Sequence, residues 1–557
     1  MRASFSKKEK IFLLALFVVS LTVGLALTML LRQHYMFYNH PSADVTYYMD
    51  WAHEIATKDF IGTKTFFGLP LYPYFLAVLF RISLGHIEVI RFFHLILSAF
   101  NCLLLYYAAK LIFSKRIAVV ASVLMALNFI LTYYAWLMMP VTLLITLSLI
   151  IVIALVQREQ LTQKHQWFFL GLFIGASTLG DGKFLFFLML TAVWLWLERP
   201  ERLKQILMML LGAALIVGGC AARNKIVGGD WVLISAQSGL SFFSGNNPEA
   251  TGVYLNPDFI RPTHHGQDED QRIVAESIAR HTMSPGEISA FWKAKAMDFI
   301  YRHPDQYARL LVKKFILFFR ETEYADDLDL VLLRNWKAKL DWNNFLFLMP
   351  LALIGVAVSA RQWKKQPFPV MLIGCQLLVT LIFFLSTRHR ATVFPFLLMF
   401  EAAAVFWFIK QLRRRNFIKI SLAVVFVLFY ALLLPPVRID AKTITYNEQS
   451  KAGAVFAAQG QPEKAKACYL KVLAIKPTDS TTLYNLANLY VEEQNWSKAQ
   501  ALYQQSLTIC SFNVDALFNL GFVYEQQGKV DLALKYYKTV LRYQPDSPDI
   551  YFRMASL

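Results

Sequence analysis

Apolar residues in this chain gather in long unbroken runs, and charged residues mark the gaps between them. The runs fall near 11–31, 89–113, 117–136, 139–156, 167–180, 182–197, 205–222, 342–360, 367–385, 391–409 and 417–434. Most approach the roughly 20 residues that a helix needs to cross a bilayer. The pattern therefore predicts about eleven membrane helices. A shorter stretch, Pro70 to Phe80, carries Tyr72 and Tyr74 and reads as a helix lying in the membrane interface. The loops at 115–116, 158–164, 198–204, 361–365 and 410–415 are rich in Lys and Arg and fall on the side of the basic N-terminus, the cytoplasmic side. The first run lacks a small-residue cleavage site and reads as an uncleaved span. The opposite side then receives the outer loops 32–88 and 223–340, the turns 180–182 and 386–390, and everything after Pro435-Pro436.

Beyond Pro436 the period changes to a 34-residue repeat. Leu483, Leu486, Ala487, Tyr490, Ala499 and Tyr503 recur as Leu517, Leu520, Gly521, Tyr524, Ala533 and Tyr537. A weaker first copy holds Gly453, Phe456, Ala465, Tyr469 and Pro477. Small residues let paired helices cross closely, and the aromatic residues fill the space between them. This is the tetratricopeptide pattern, with repeats near 446–479, 480–513 and 514–547 and a partial cap at Asp549 to Leu557. The fold class is all-α: a polytopic helical membrane bundle over 1–435, then a periplasmic α-solenoid over 436–557.

Composition narrows the function. The 557 residues are 56% hydrophobic and 17% charged, with mean hydropathy +0.42, which excludes an ordinary soluble globular chain. The formal charge of +18 is accounted for by membrane orientation, so no nucleic-acid partner is called for. The five cysteines are scattered and show no zinc spacing. His264 and His265 with Asp268 and Glu269 have a metal-like composition without a ligand spacing, and read as a solvated loop.

Charges beside the hydrocarbon are costly and need partners or functions. The outer-side candidates are few. Asp44 and Asp50 lie in the first loop, Asp44 being the first choice for a base and also placed to cap a helix beginning near Tyr47. Asp181 and Lys183 flank a tight turn, and Arg223 opens the long loop. Arg388, His389 and Arg390 share another turn. Arginine holds phosphate oxygens bidentately, so carboxylates with paired arginines suit a reaction with a phosphate leaving group. Asp44 is then the base, with Asp181 and Asp50 as secondary candidates. Arg388 and Arg390 bind the donor phosphate, with Lys183 and Arg223 as secondary candidates. Gly245, Asn246, Asn247 and Glu249 lie in a Gly/Asn-rich loop that suits positive φ angles and shapes an acceptor pocket. No cofactor is specified; a divalent cation is optional.

Several of these stretches together resemble a known family. Asp44-Val-Thr-Tyr-Tyr-Met-Asp50-Trp-Ala, Pro70-Leu-Tyr-Pro-Tyr, Arg223-Asn224, Gly245-Asn-Asn-Pro-Glu-Ala-Thr-Gly252, His303-Pro304 and Arg388-His-Arg390 with Pro395 are similar to bacterial membrane glycosyltransferases of the GT-C fold. That superfamily includes the protein O-mannosyltransferases and the aminoarabinose transferase of lipid A, and a variant with a C-terminal tetratricopeptide array is familiar. The resemblance implies inverting transfer from a polyprenyl-phosphate sugar to a hydroxyl on the periplasmic face of a bacterial inner membrane, with Asp44 as base and Arg388 and Arg390 on the lipid phosphate. It implies membrane lipid as a partner, and the repeats add a protein partner. Three positions depart from the family pattern: Asp181 in its Gly-rich turn, Met139 before Pro140 where Glu is common, and His389 where Tyr is common. The competing readings are a glycan ligase or polymerase with a diphosphate-linked donor, and a membrane-anchored scaffold without catalysis.

Overall fold

A computed structural model describes residues 6–35, 38, 43–254, 256–257, 259–261, 263–320, 345–360, 367–435, 441–545 and 547–557. Among these residues the chain is helical, and its single β-bridge pairs Val253 with Leu385. It divides into two compact units. One comprises Met1–Tyr254 and Ser284–Val437, the other Leu255–Met283 and Arg438–Leu557.

In the first unit, the helices follow the apolar runs. They are α1 (Lys7–His34), α2 (Ala43–Thr57), α3 (Leu71–Ile82), α4 (Ile87–Ile112), α5 (Lys115–Ala126), α6 (Phe129–Leu137), α7 (Val141–Val156), α8 (Lys164–Thr178), α9 (Lys183–Glu198), α10 (Leu203–Gly228) and α11 (Ser238–Gly245). Among the described residues four helices are long and apolar enough to cross a membrane: α1, α4, α10 with its leading turn, and Phe394–Arg413. The 117–136 run, expected as one span, is broken into α5 and α6 with a 52° bend. Asn128 explains the break: its side chain accepts from the Leu131 amide at 3.0 Å and so starts a new helix inside the run. Counted as one, the bent pair makes a fifth span. Helices α7, Phe347–Ser359, Pro367–Ile382 and Phe417–Leu433 are apolar but shorter. Helices α8 and α10 pack backbone to backbone, since a Cβ on Gly171 would stand 2.0 Å from the Met209 carbonyl oxygen and one on Gly212 2.2 Å from that of Phe168.

The second unit takes its first helix from the long stretch that follows α11. This is α12 (His264–Ala279), capped by the Thr263 hydroxyl. The solvated loop expected at His264, His265, Asp268 and Glu269 is corrected to a helix; His265 and Asp268 are exposed, but His264 and Glu269 are buried, as is the neighbouring Asp270. The first unit resumes with α13 (Pro285–Arg302), α14 (Pro304–Phe319), α15 (Phe345–Ser359), α16 (Pro367–Ile382), α17 (Thr387–Ala391), α18 (Phe394–Arg413) and α19 (Phe417–Leu433). The repeats are the pairs α20 (Ala441–Ala458) with α21 (Pro462–Ile475), α22 (Ser480–Glu492) with α23 (Trp496–Ile509), and α24 (Val514–Gln526) with α25 (Val530–Tyr543), closed by α26 (Pro548–Ser556). Tyr503 and Tyr537 are fully buried at equivalent positions, and Ile550 of α26 seals the same core.

Helix α12 belongs to this core. Ile273 is 1% exposed among the repeat residues. Arg261 just before it pairs with Glu269, Asp270 and Asp515, and Arg272 donates to the Tyr543 carbonyl at 3.0 Å. Gln544 donates to Glu269, and the Cys510 thiol donates to the Phe259 carbonyl. The acids of α12 read as solvated in sequence because Arg261 lies outside the helix and the repeat residues that cover it lie far along the chain. All five cysteines are buried and free.

Candidate functional site

Asp44 stands in the first turn of α2, which begins at Ala43, four residues before the expected start. Val45, Ala52 and Ile55 bury one side of that helix. The carboxylate of Asp44 pairs with the guanidinium of Arg388 on α17, 344 residues away. Both side chains are 21% exposed, so the pair is held yet open to an incoming group. Asp50 lies roughly 120° round the helix from Asp44 at 3.6 residues per turn, and it is exposed.

Beside Arg388 sits a second polar cluster. The turn before α9 presents Asp181, and the first residue of α9 is Lys183; they are 3% and 0% exposed. Lys183 Nζ donates to Asp181 Oδ2 at 2.7 Å, to Gln376 Oε1 at 3.1 Å and to the Thr392 hydroxyl. His389 Nδ1 stands 3.7 Å from Asp181 Oδ2. Burial alone would push the Asp181 carboxyl up, but Lys183 and His389 hold it well below the usual range. Lys183, expected as a secondary phosphate ligand, is thus enclosed in an internal network.

The other arginines serve the backbone. Arg390 is 1% exposed, and its Nη1 donates to the carbonyls of Leu317 at 3.5 Å, Phe318 at 3.2 Å and Arg320 at 2.8 Å, which close the end of α14. Arg223 donates to the Ile61 carbonyl at 2.8 Å and the Lys64 carbonyl at 2.6 Å, and lies 3.7 Å from the Phe66 ring centroid. It fastens the loop between α2 and α3. Among the candidate donor-phosphate ligands, Arg388 is the one placed beside Asp44.

The Gly245–Gly252 loop packs against the segment that leads into α17. Gly245 is helical and its need is close approach, while the positive φ expected in this Gly/Asn-rich loop is found at Gly252, at +90°. A Cβ on Gly245 would stand 2.0 Å from the Phe383 carbonyl oxygen. Asn246 donates to the Ile382 carbonyl at 2.8 Å, and the Leu385 amide donates to the Gly252 carbonyl at 2.9 Å. Asn247 accepts from the Glu249 amide at 2.8 Å, forming a local turn, and Glu249 is exposed. Sequence reasoning missed Lys314 of α14. It is fully buried, donates to Asn246 Oδ1 at 2.9 Å and the Leu381 carbonyl at 3.1 Å, and burial lowers its ammonium to about 7. Its signal was a lysine on the apolar stripe Leu310, Lys314, Leu317, Phe318. Among the described residues no group of three or more His, Cys, Asp or Glu is gathered to hold a metal ion.

A family model described as dolichyl-phosphate-mannose-protein mannosyltransferase matches residues 67–222. The matched segment contains Asp181 and Lys183 but neither Asp44 nor Arg388. A tetratricopeptide repeat model matches residues 445–511 and 478–546. No curated protein matches. Among solved structures, the archaeal oligosaccharyltransferase AglB from Archaeoglobus fulgidus, in complex with an inhibitory peptide and a dolichol-phosphate, aligns over 84% of this chain at 14% identity and TM-score 0.40. This chain spans 60% of that protein's length. The APC/C hetero-tetramer Cut9-Hcn1 aligns over 86% of this chain and 98% of its own at 12% identity and TM-score 0.21. Neither overlay is close enough to carry an argument. The two family segments agree with the resemblance read from the sequence: a GT-C glycosyltransferase region followed by tetratricopeptide repeats.

Proposed function

We propose that the chain is a membrane glycosyltransferase that moves a sugar from a polyprenyl-phosphate donor to a hydroxyl on the periplasmic face of a bacterial inner membrane, with inversion. The observation that carries this reading is the Asp44–Arg388 pair, a carboxylate of α2 held by an arginine of α17. The ion pair holds both side chains in place until a substrate enters. A lipid phosphate entering the site competes for Arg388 and leaves the Asp44 carboxylate free to accept a proton. The acceptor hydroxyl oxygen attacks the anomeric carbon from the face opposite the phosphate, and Asp44 takes its proton. The carbon–oxygen bond to phosphate breaks, and the lipid phosphate leaves with the electron pair against Arg388. One displacement inverts the centre, and a phosphate leaving group needs no general acid. Residues 1–435 form the transferase in this reading, and the repeats of 436–557 engage a protein partner.

The test uses membranes carrying radiolabelled polyprenyl-phosphate sugars, with wild type and Asp44→Asn at equal expression. Transfer into lipid or protein that is lost in Asp44→Asn supports the reading. Transfer equal in both removes Asp44 from the mechanism. Transfer only from a diphosphate-linked glycan points to a ligase, and no transfer from any donor leaves the scaffold.

A further inference from the structure

Lys314 has no place in that chemistry and is fully enclosed in the protein. Burying an ammonium against two neutral acceptors is costly, and a methionine of similar length would fill the space without that cost. What the lysine adds is a three-way tie. From α14 it reaches Asn246 Oδ1 at 2.9 Å and the Leu381 carbonyl at 3.1 Å. Asn246 in turn donates to the Ile382 carbonyl, next to Leu381. The segment that leads to Arg388 has a second anchor in Arg390, which holds the carbonyls at the end of α14 and does not depend on Lys314. The loop's further holds on the segment are the Asn246 bond to the Ile382 carbonyl, the close packing of Gly245 on the Phe383 backbone and the bond from the Leu385 amide to the Gly252 carbonyl.

We propose that Lys314 is a positioning residue that locks the Gly245–Gly252 loop against the 381–385 segment and so fixes the acceptor side of the site. The kinetic part rests on the glycosyl-transfer reading above; the structural part does not. The full-length protein in detergent serves for both measurements, with Lys314→Met and the conservative Lys314→Arg. In hydrogen exchange, Lys314→Met speeds exchange at residues 246–253 and at Leu385 by at least tenfold and leaves α8 and α10 unchanged. Unchanged exchange in the loop overturns the proposal whatever the activity. In transfer assays, Lys314→Met raises the acceptor KM about tenfold and moves the donor KM less than twofold, and Lys314→Arg recovers most of the loss. Equal changes in both KM values, or a uniform rise in exchange across the unit, show a merely structural lysine and overturn it. Loop exchange that responds as stated in a protein without transfer activity supports the lock and defeats only the catalytic reading.

Discussion

Gly245→Ala is the sharpest probe of how the candidate site is assembled. The added Cβ would lie 2.0 Å from the Phe383 carbonyl oxygen and 2.6 Å from its carbon, both backbone atoms that cannot swing aside. Ordinary contact begins near 3.4 Å, so the two backbones must part by roughly 1 Å or more. Asn246 moves with its neighbour and gives up its bond to the Ile382 carbonyl and its hold on Lys314, now 2.8 and 2.9 Å long. A neutral buried hydrogen bond is worth about 1 kcal/mol and one to a charged group about 1.5–3 kcal/mol, so the loop loses about 2–4 kcal/mol. At 1.4 kcal/mol per tenfold, its opening equilibrium rises about 30-fold to about 1000-fold. Hydrogen exchange at the Leu385 amide, bonded to the Gly252 carbonyl, reads that change directly. An unchanged Leu385 rate in a folded Gly245→Ala protein would refute the argument from close packing.

Arg388→Lys keeps the charge and loses the planar fork; forfeiting one charge-assisted bond at about 1.5–3 kcal/mol lowers kcat/KM for donor about 10-fold to about 150-fold, read in the membrane transfer assay. Asp181→Asn leaves Lys183 buried without its carboxylate and destabilises the first unit by about 3–5 kcal/mol, seen as a lower detergent melting temperature, while Asp181→Leu with Lys183→Met is milder. Arg261→Met strips the cation from Glu269 and Asp270 and exposes residues 255–283 to protease. Burial already raises the Asp270 carboxyl. A raised acid stabilises the fold below its unfolded pKa and loses that stability as pH rises through its folded pKa, so the Arg261→Met defect grows as pH rises above the ordinary carboxylate range.

Much of the first unit was legible because hydropathy and helix formation act over the same short range. The run at 89–113 became Ile87–Ile112, and the run at 205–222 became Leu203–Gly228. The break at Asn128 was legible in principle, since an Asn inside an apolar run is a helix start as much as a tolerated polar residue. The repeat register of Tyr503 and Tyr537 was plain because a period is a property of sequence alone. Side-chain commitments were not legible. Arg390 and Arg223 look like phosphate ligands in a list of outer-side charges, yet both bind carbonyls set by distant segments. Lys183 and Lys314 look exposed by residue type and are buried by tertiary packing. The acids of α12 look solvated until Arg261 and the repeats surround them.

The seat of α12 among the repeats bears on how such chains can be edited and inherited. A stop codon placed after Pro435 would not remove a self-contained appendage; it would strip Ile273 of its core and Glu269 of Gln544 in the middle of the remaining protein. A defect in that truncation would report a stranded helix as much as a lost recruiter. Grafting the array onto another membrane enzyme, or exchanging it between relatives, requires moving two separated stretches of coding sequence together. The array and the insertion at 255–283 are therefore expected to be gained, lost and diversified as one unit.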